Sequence, residues 1–205
     1  MTELLDVYDA NGKLIGPADR NVVHAYGLWH KTIHCWIVWN SKLVFQRRSR
    51  QDKTNPGRLY TTASGHVAAG ETIEAAFVRE IAQEIEIRPE NPDFLDEFLW
   101  IKDMKRLDGS VFADRVFANI FWAEHKGALE DFRFSDGEVD SVVAVDLEDF
   151  IKWASNPAGK IAGLEWDGKK VSSVSLSADD FLLNAGETIR RKFGIIAEMI
   201  KGRKA

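Results

Sequence analysis

The stretch Gly65 to Ile87, GHVAAGETIEAAFVREIAQEIEI, constrains this chain more than any other. From Thr72 to Glu86 it predicts one amphipathic helix, because Ile73, Phe77, Ile81 and Ile85 recur every fourth residue along one face. Glu80 and Glu84 lie four apart beside that apolar stripe, where two ionised carboxylates repel unless a cation answers them. Arg79 can answer one, and a hard divalent ion with oxygen ligands can answer both. A loop bracketed by Gly65 and Gly70 precedes the helix, with Thr72 placed to cap its first turn. Glycines ahead of a helix start let the backbone pass close to a metal or a phosphate.

The remaining pattern supplies a sheet around this helix. Leu4 to Asp9 and Leu14-Ile15, split by the Asn11-Gly12 turn, predict a short hairpin on the edge of a larger sheet. Arg20 to Lys31 reads as a loop-like, aromatic-rich segment carrying His24 and His30. Strands are expected over 32–39, 42–47, 58–64, 94–106, 111–123 and 139–145, with Asp108-Gly109 turning the fourth into the fifth. A second helix opens at Asp146 and runs from Leu147 to Ala154. That order predicts an α/β (α+β) fold, a mixed β-sheet with a helix layer on each face.

Beyond Ala154 the character changes. Asn156-Pro157-Ala158-Gly159 reads as a linker and Asp167-Gly168 as a turn, so a domain over 1–154 and a C-terminal extension over 155–205 are expected. Ser177 is placed to cap a helical segment. Ile189, Phe193, Ile196 and Ile200 then recur at helical spacing, a stripe for the domain or for a second subunit, which leaves room for a homodimer.

The net charge of −5 over 205 residues argues against bulk nucleic-acid binding and against an anionic membrane surface. No apolar run approaches the ~20 residues of a membrane helix, and the acidic start MTELLDVYD is unlike a signal peptide. Cys35, the single cysteine, has no internal disulfide partner. A cytoplasmic enzyme is the expectation.

Gly65, Glu71, Arg79-Glu80-Ile81, Glu84 and Ile87 carry a resemblance to the Nudix box: G, five residues, E, seven residues, REU, any residue, EE, any residue, GU, with U aliphatic. Gln83 stands where the first glutamate of the EE pair belongs, and Glu86 where the closing glycine belongs. The resemblance implies a Nudix-type α/β/α sandwich with the 155–205 extension appended. It also implies Mg2+ or Mn2+ held by Glu80, Glu84 and the backbone carbonyl of Ser64. Gln83 keeps an oxygen but loses the charge, so fewer or weaker metal sites are expected. Glu71 and Arg79 read as an ion pair that holds the loop to the helix, with Gly65 and Gly70 as structural positions.

Arg20 to Gly70 resembles more narrowly the branch containing isopentenyl diphosphate isomerase and its hydrolase relatives. His24, His30, Gln46-Arg47-Arg48, Lys53, Pro56-Gly57 and Gly65-His66 carry that likeness. It implies a metal site of His24, His30 and His66 with Asp114, and a diphosphate site at Arg48 and Lys53, a bidentate donor and a point charge. For Arg47, Arg50 and Arg58 a solvated surface is expected. The isomerases use a cysteine where this chain has Ser64 and a glutamate where it has Val116. Serine is a poor acid beside a thiol.

The function expected is therefore hydrolysis of a diphosphate linkage in a nucleoside diphosphate derivative or similar small diphosphate. Glu84 and Glu80 are its catalytic residues, and Asp108, Asp114 and Glu138 are further candidates for the base. An isomerase-like protein, or a weakly active diphosphate-binding protein, are the alternatives. Trp29, Trp36, Trp100 and Phe112 are read first as packing residues and second as platforms for a nucleobase.

Overall fold

The computed structural model describes residues 3–52, 55–105, 111–181 and 187–204. The chain opens with a hairpin, β1 (Leu4–Tyr8) and β2 (Leu14–Asp19). The Asp9 carboxylate accepts the N–H groups of Asn11 and Lys13 across its turn. A short helix, α1 (Arg20–Tyr26), comes next and corrects the loop-like reading of this segment. Asp19 caps it by accepting the Asn21 N–H, and Gly27 ends it in the left-handed region. With two turns and only Val23 and His24 buried, α1 has too short a period to stand out in sequence.

There follow β3 (Trp29–Trp39), β4 (Lys42–Arg48), β5 (Leu59–Tyr60) and β6 (Ala63–His66). The helix α2 (Ile73–Glu84) leads to the long strands β7 (Glu90–Lys105) and β8 (Val111–His125), whose connection at Asp108-Gly109 lies outside the described residues. The chain continues through β9 (Val139–Asp146), α3 (Leu147–Ser155), β10 (Ile161–Trp166), β11 (Val171–Leu176) and α4 (Glu187–Lys204).

β3 organises the sheet. One of its edges takes β1 at Trp29, β6 over Thr32–Cys35 and β4 over Ile37–Trp39, all antiparallel. Its other edge takes β8 in parallel from Trp29 to Trp39. The sheet then extends through β9, β10 and β11 beyond β4, and through β7 beyond β8. Alternate β3 residues face opposite layers: Ile33, Cys35 and Ile37 pack with Phe77, Ile81 and Ile85, and Trp36 and Val38 with Phe150 and Phe193. Covered on both faces, the second half of β3 reads as an unbroken apolar run. The result is a mixed α+β sandwich with α2 on one face and α3 and α4 on the other.

Residues past 154 join this sheet. β10 pairs with β9 over Leu164–Trp166, and the β10–β11 hairpin was legible in sequence only as its Asp167-Gly168 turn. Gly163 and three serines on β11 give these strands little β propensity. On α4, Phe193, Ile196, Ala197 and Ile200 are fully buried within the chain's own core. Among the described residues no helix is long and apolar enough to cross a membrane.

Candidate active site and metal centre

A cleft of about 620 Å3 is lined by residues of β3, β6, α2, β7 and β8. Its first wall is the glycine loop and α2. Thr72 Oγ1 accepts the Ala75 N–H and starts the helix one residue later than the sequence pattern predicts. Arg79 clasps Glu71 through two bonds of 2.8 and 2.9 Å, and Glu71 also accepts the Ala68 N–H at 2.9 Å. The same guanidinium donates to the His66 carbonyl at 2.8 Å, to Glu80 at 2.6 Å and to Gln83 at 3.2 Å. The loop is thereby tied to the helix at both ends.

Glu84 is 3 % exposed, and its Oε2 accepts the Ser64 N–H at 3.0 Å and the Gln46 amide at 3.1 Å. Both donors meet the same oxygen. Burial pushes the Glu84 carboxyl up to about 8, with the charges of Glu80 and Glu138 adding to it. Burial likewise raises Glu80 despite its pair with Arg79. Gly65 explains how these groups fit, since a Cβ there would overlap the Glu80 carboxylate. Gln83 is exposed on the rim, and Glu138 is an exposed carboxylate on the same wall.

The second wall is imidazole. Nδ1 of His24 donates to the Arg20 carbonyl at 2.8 Å, and Nδ1 of His30 to the Leu28 carbonyl at 3.0 Å. A neutral histidine whose Nδ1 proton is held by a carbonyl presents a lone pair at Nε2. His66 Nε2 lies 3.3 Å from His24 Nε2, and one ligand atom from each of the three rings falls within 4.8 Å of the others. Asp114 Oδ1 sits 3.4 Å from His30 Nε2 and 3.7 Å from His24 Nε2. The His30–Asp114 contact is too far off line to be a hydrogen bond, so both atoms are buried without a hydrogen-bond partner among the described residues. Burial lowers His30 and His66 and raises Asp114, which disfavours a proton as the shared cation. Three nitrogens and one carboxylate form a donor set suited to a divalent transition metal.

The third wall is cationic. Arg48 reaches the cleft but pairs with Asp52 at 2.5 Å, while its Nε has no hydrogen-bond partner among the described residues. Lys102, which the sequence did not single out, lines the cleft near Asp114, and burial lowers its pKa. Lys53 and Asp108 lie outside the described residues. Arg47 is not the solvated residue expected, because it binds Glu165 of β10 at 2.7 Å and the Gly57 carbonyl at 3.0 Å.

At the bottom are Thr32, His34, Tyr60, Trp100 and Val116. Trp36 is core, beneath Phe45 and Phe193. Trp29 packs on Phe117, and Phe112 lies stacked on His24 at 4.5 Å. His34 has no part in the sequence pattern singled out above, and Gln46 enters there only as a carrier of the resemblance, without a role in the site. His34 follows His30 and Thr32 at the two-residue period of β3, which places all three on one face.

A model of the NUDIX domain matches residues 28–164. A Nudix hydrolase of Clostridium acetobutylicum is 30 % identical over 190 residues, 88 % of this chain and 90 % of the relative. An isopentenyl-diphosphate Delta-isomerase of Mycolicibacterium vanbaalenii is 30 % identical over 99 residues, 45 % of this chain and 55 % of the relative. The crystal structure of a Deinococcus radiodurans protein superposes with a TM-score of 0.57 at 17 % identity, covering 75 % of this chain and 89 % of that one. With the box, the sandwich and these matches together, the chain belongs to the Nudix family and is a hydrolase of diphosphate linkages.

Proposed function

We propose that the chain hydrolyses a nucleoside diphosphate derivative or a similar small diphosphate with Mg2+ or Mn2+ at the box. The observation that carries this reading is the pair Glu80 and Glu84, one helical turn apart and both raised by burial on the wall of a cleft. Buried carboxylates in that state gain from a cation, so the residues present fit a divalent ion. Glu80, Glu84 and the Ser64 carbonyl would hold it, and Gln83 on the rim adds at most a neutral oxygen. The imidazole cluster with Asp114 would hold a second ion, and nitrogen donors suit Mn2+ there better than Mg2+. A bound divalent ion supplies Lewis acidity toward the diphosphate oxygens and the attacking water.

The chain's own groups do the rest. Arg48 and Lys53 steady the departing phosphate, and Arg48 exchanges its Asp52 partner for it. Glu84 or the exposed Glu138 takes the proton of the attacking water. Carbon isomerisation is less well supported, because Ser64 and the buried Val116 stand where that chemistry needs an acid and a base. The test is phosphate release from nucleoside diphosphates, nucleotide sugars, dinucleotides, isopentenyl diphosphate and thiamine diphosphate, with Mg2+ or Mn2+ and with EDTA. Turnover that EDTA abolishes is expected, and silence across the panel would leave a diphosphate-binding protein instead.

A further inference from the structure

Among the described buried polar side chains, Gln46 has a geometry that stability alone does not account for. It is 1 % exposed on β4, paired in the sheet with Tyr60 of β5 and Val142 of β9. Its Nε2 donates to Glu84 Oε2 at 3.1 Å, while its own Oε1 is buried with no hydrogen-bond partner among the described residues. A buried acceptor left without a donor costs free energy, and a methionine or leucine there would carry no such cost. Turning the amide over would set its oxygen against the carboxylate, so Glu84 decides which way it points.

Glu84 needs such a partner because of where it stands. It is the last residue of α2, and helix ends fray. The Ser64 N–H, at 3.0 Å, is its other donor and comes from β6. One hydrogen bond leaves a carboxylate free to swing about the oxygen that it holds. Two donors, carried by two different strands and meeting on the same oxygen, restrict that swing. They also leave Oε1 unengaged, since among the described residues no donor bonds it, and Glu84 lines the cleft. One oxygen is anchored to the sheet and the other is presented.

We propose that Gln46 is the positioning residue of the box, holding Oε2 of Glu84 so that Oε1 is left for the divalent ion. It acts through Glu84 alone. The proposal rests on the metal reading of the box and adds the residue that sets its geometry. Removing a partner that orients a metal ligand in this way typically costs about ten- to a hundredfold in metal affinity or activity.

The test is a double-substitution cycle on Mn2+ binding, read by calorimetry, and on kcat at saturating Mn2+. Gln46→Met keeps the length and bulk of the side chain and removes both its donor and its orphaned acceptor. The metal-free variant should melt at or above the wild-type midpoint. It should bind Mn2+ about tenfold more weakly and lose about tenfold or more in kcat, with KM little changed. In a Glu84→Gln background the same substitution should change either quantity by less than about twofold, because the carboxylate through which Gln46 acts is gone. Gln46→Leu carries the cycle if Gln46→Met does not fold. Equal losses in both backgrounds, or Mn2+ affinity and kcat that stay at their wild-type values, would overturn the proposal. A lower midpoint with unchanged Mn2+ affinity would make the bond a structural tie and overturn it as well. Weaker Mn2+ binding by Gln46→Met without turnover of any diphosphate would sustain it while removing the hydrolase reading. Mn2+ binding that Glu84→Gln does not weaken would remove the box as a metal site, and the proposal with it.

Discussion

A methyl group on Gly65 would occupy the space that the Glu80 carboxylate fills. Because the clash is with the far end of a flexible side chain, Gly65→Ala should fold. The Glu80 carboxylate would swing away, and turnover should fall about a hundredfold, the cost of misplacing a reacting group by roughly an ångström. A thermal melt beside a rate measurement checks both halves, and an unchanged rate would show that Glu80 is not needed where it stands. Glu86 presents the opposite case. It fills the closing glycine position of the box with φ at +50°, a conformation costing an ordinary residue about 1–2 kcal/mol. Its N–H donates to the Ile81 carbonyl at 2.9 Å and ends α2, so the turn that the motif assigns to glycine survives without one.

At the scale of the element, α2 and its loop act as one piece because Arg79 joins them. Glu71 titrates below its ordinary value, chiefly through its hydrogen bonds with Arg79. A depressed carboxylate contributes stability above its unfolded value and loses it as pH falls through the folded one. Glu71→Gln should therefore cost about 1 kcal/mol at pH 7, discounted for the partly exposed guanidinium. In urea unfolding, the gap from wild type should close as pH drops below the ordinary glutamate range. A gap that persists in acid would mean that the clasp is not electrostatic.

The legibility of these elements follows their physics. The stripe, cap and glycines of α2 are local signals and coincide, so the box was readable in sequence. The clustering of His24, His30, His66 and Asp114 was readable only through family resemblance, since it joins α1, β3, β6 and β8. The Gln46–Glu84 bond joins β4 to the end of α2 across 38 residues of chain, which no local pattern encodes. His34 looked like an ordinary strand residue because a polar side chain facing a cleft alternates as one facing solvent does.

At the scale of the molecule, the site depends on a segment outside the matched family region. Phe193 of α4 is fully buried, with its ring 4.9 Å from Trp36, 5.8 Å from Tyr60 and 6.4 Å from Trp100. Two of those residues line the bottom of the cleft. Phe193→Ala should lower the unfolding free energy by about 3–5 kcal/mol, the range for emptying an aromatic site in a core. A loss well under 1 kcal/mol by urea titration would mean that α4 only decorates the sheet. Arg47, tied to Glu165, links the strand that carries Arg48 to β10 in the same way. The chain past residue 154 thus buttresses the cleft from behind.

The most direct measurement is single-turnover hydrolysis by Glu84→Gln beside wild type, at saturating Mn2+ and with the substrate that the panel selects. Glutamine keeps an oxygen for the Ser64 N–H and sits off the apolar stripe, so the variant should melt close to wild type. Its rate should fall about a hundredfold to a thousandfold, the scale set by removing one electrostatic group from a preorganised site. A folded Glu84→Gln that turns over at the wild-type rate would contradict the assignment of the box as the catalytic metal site.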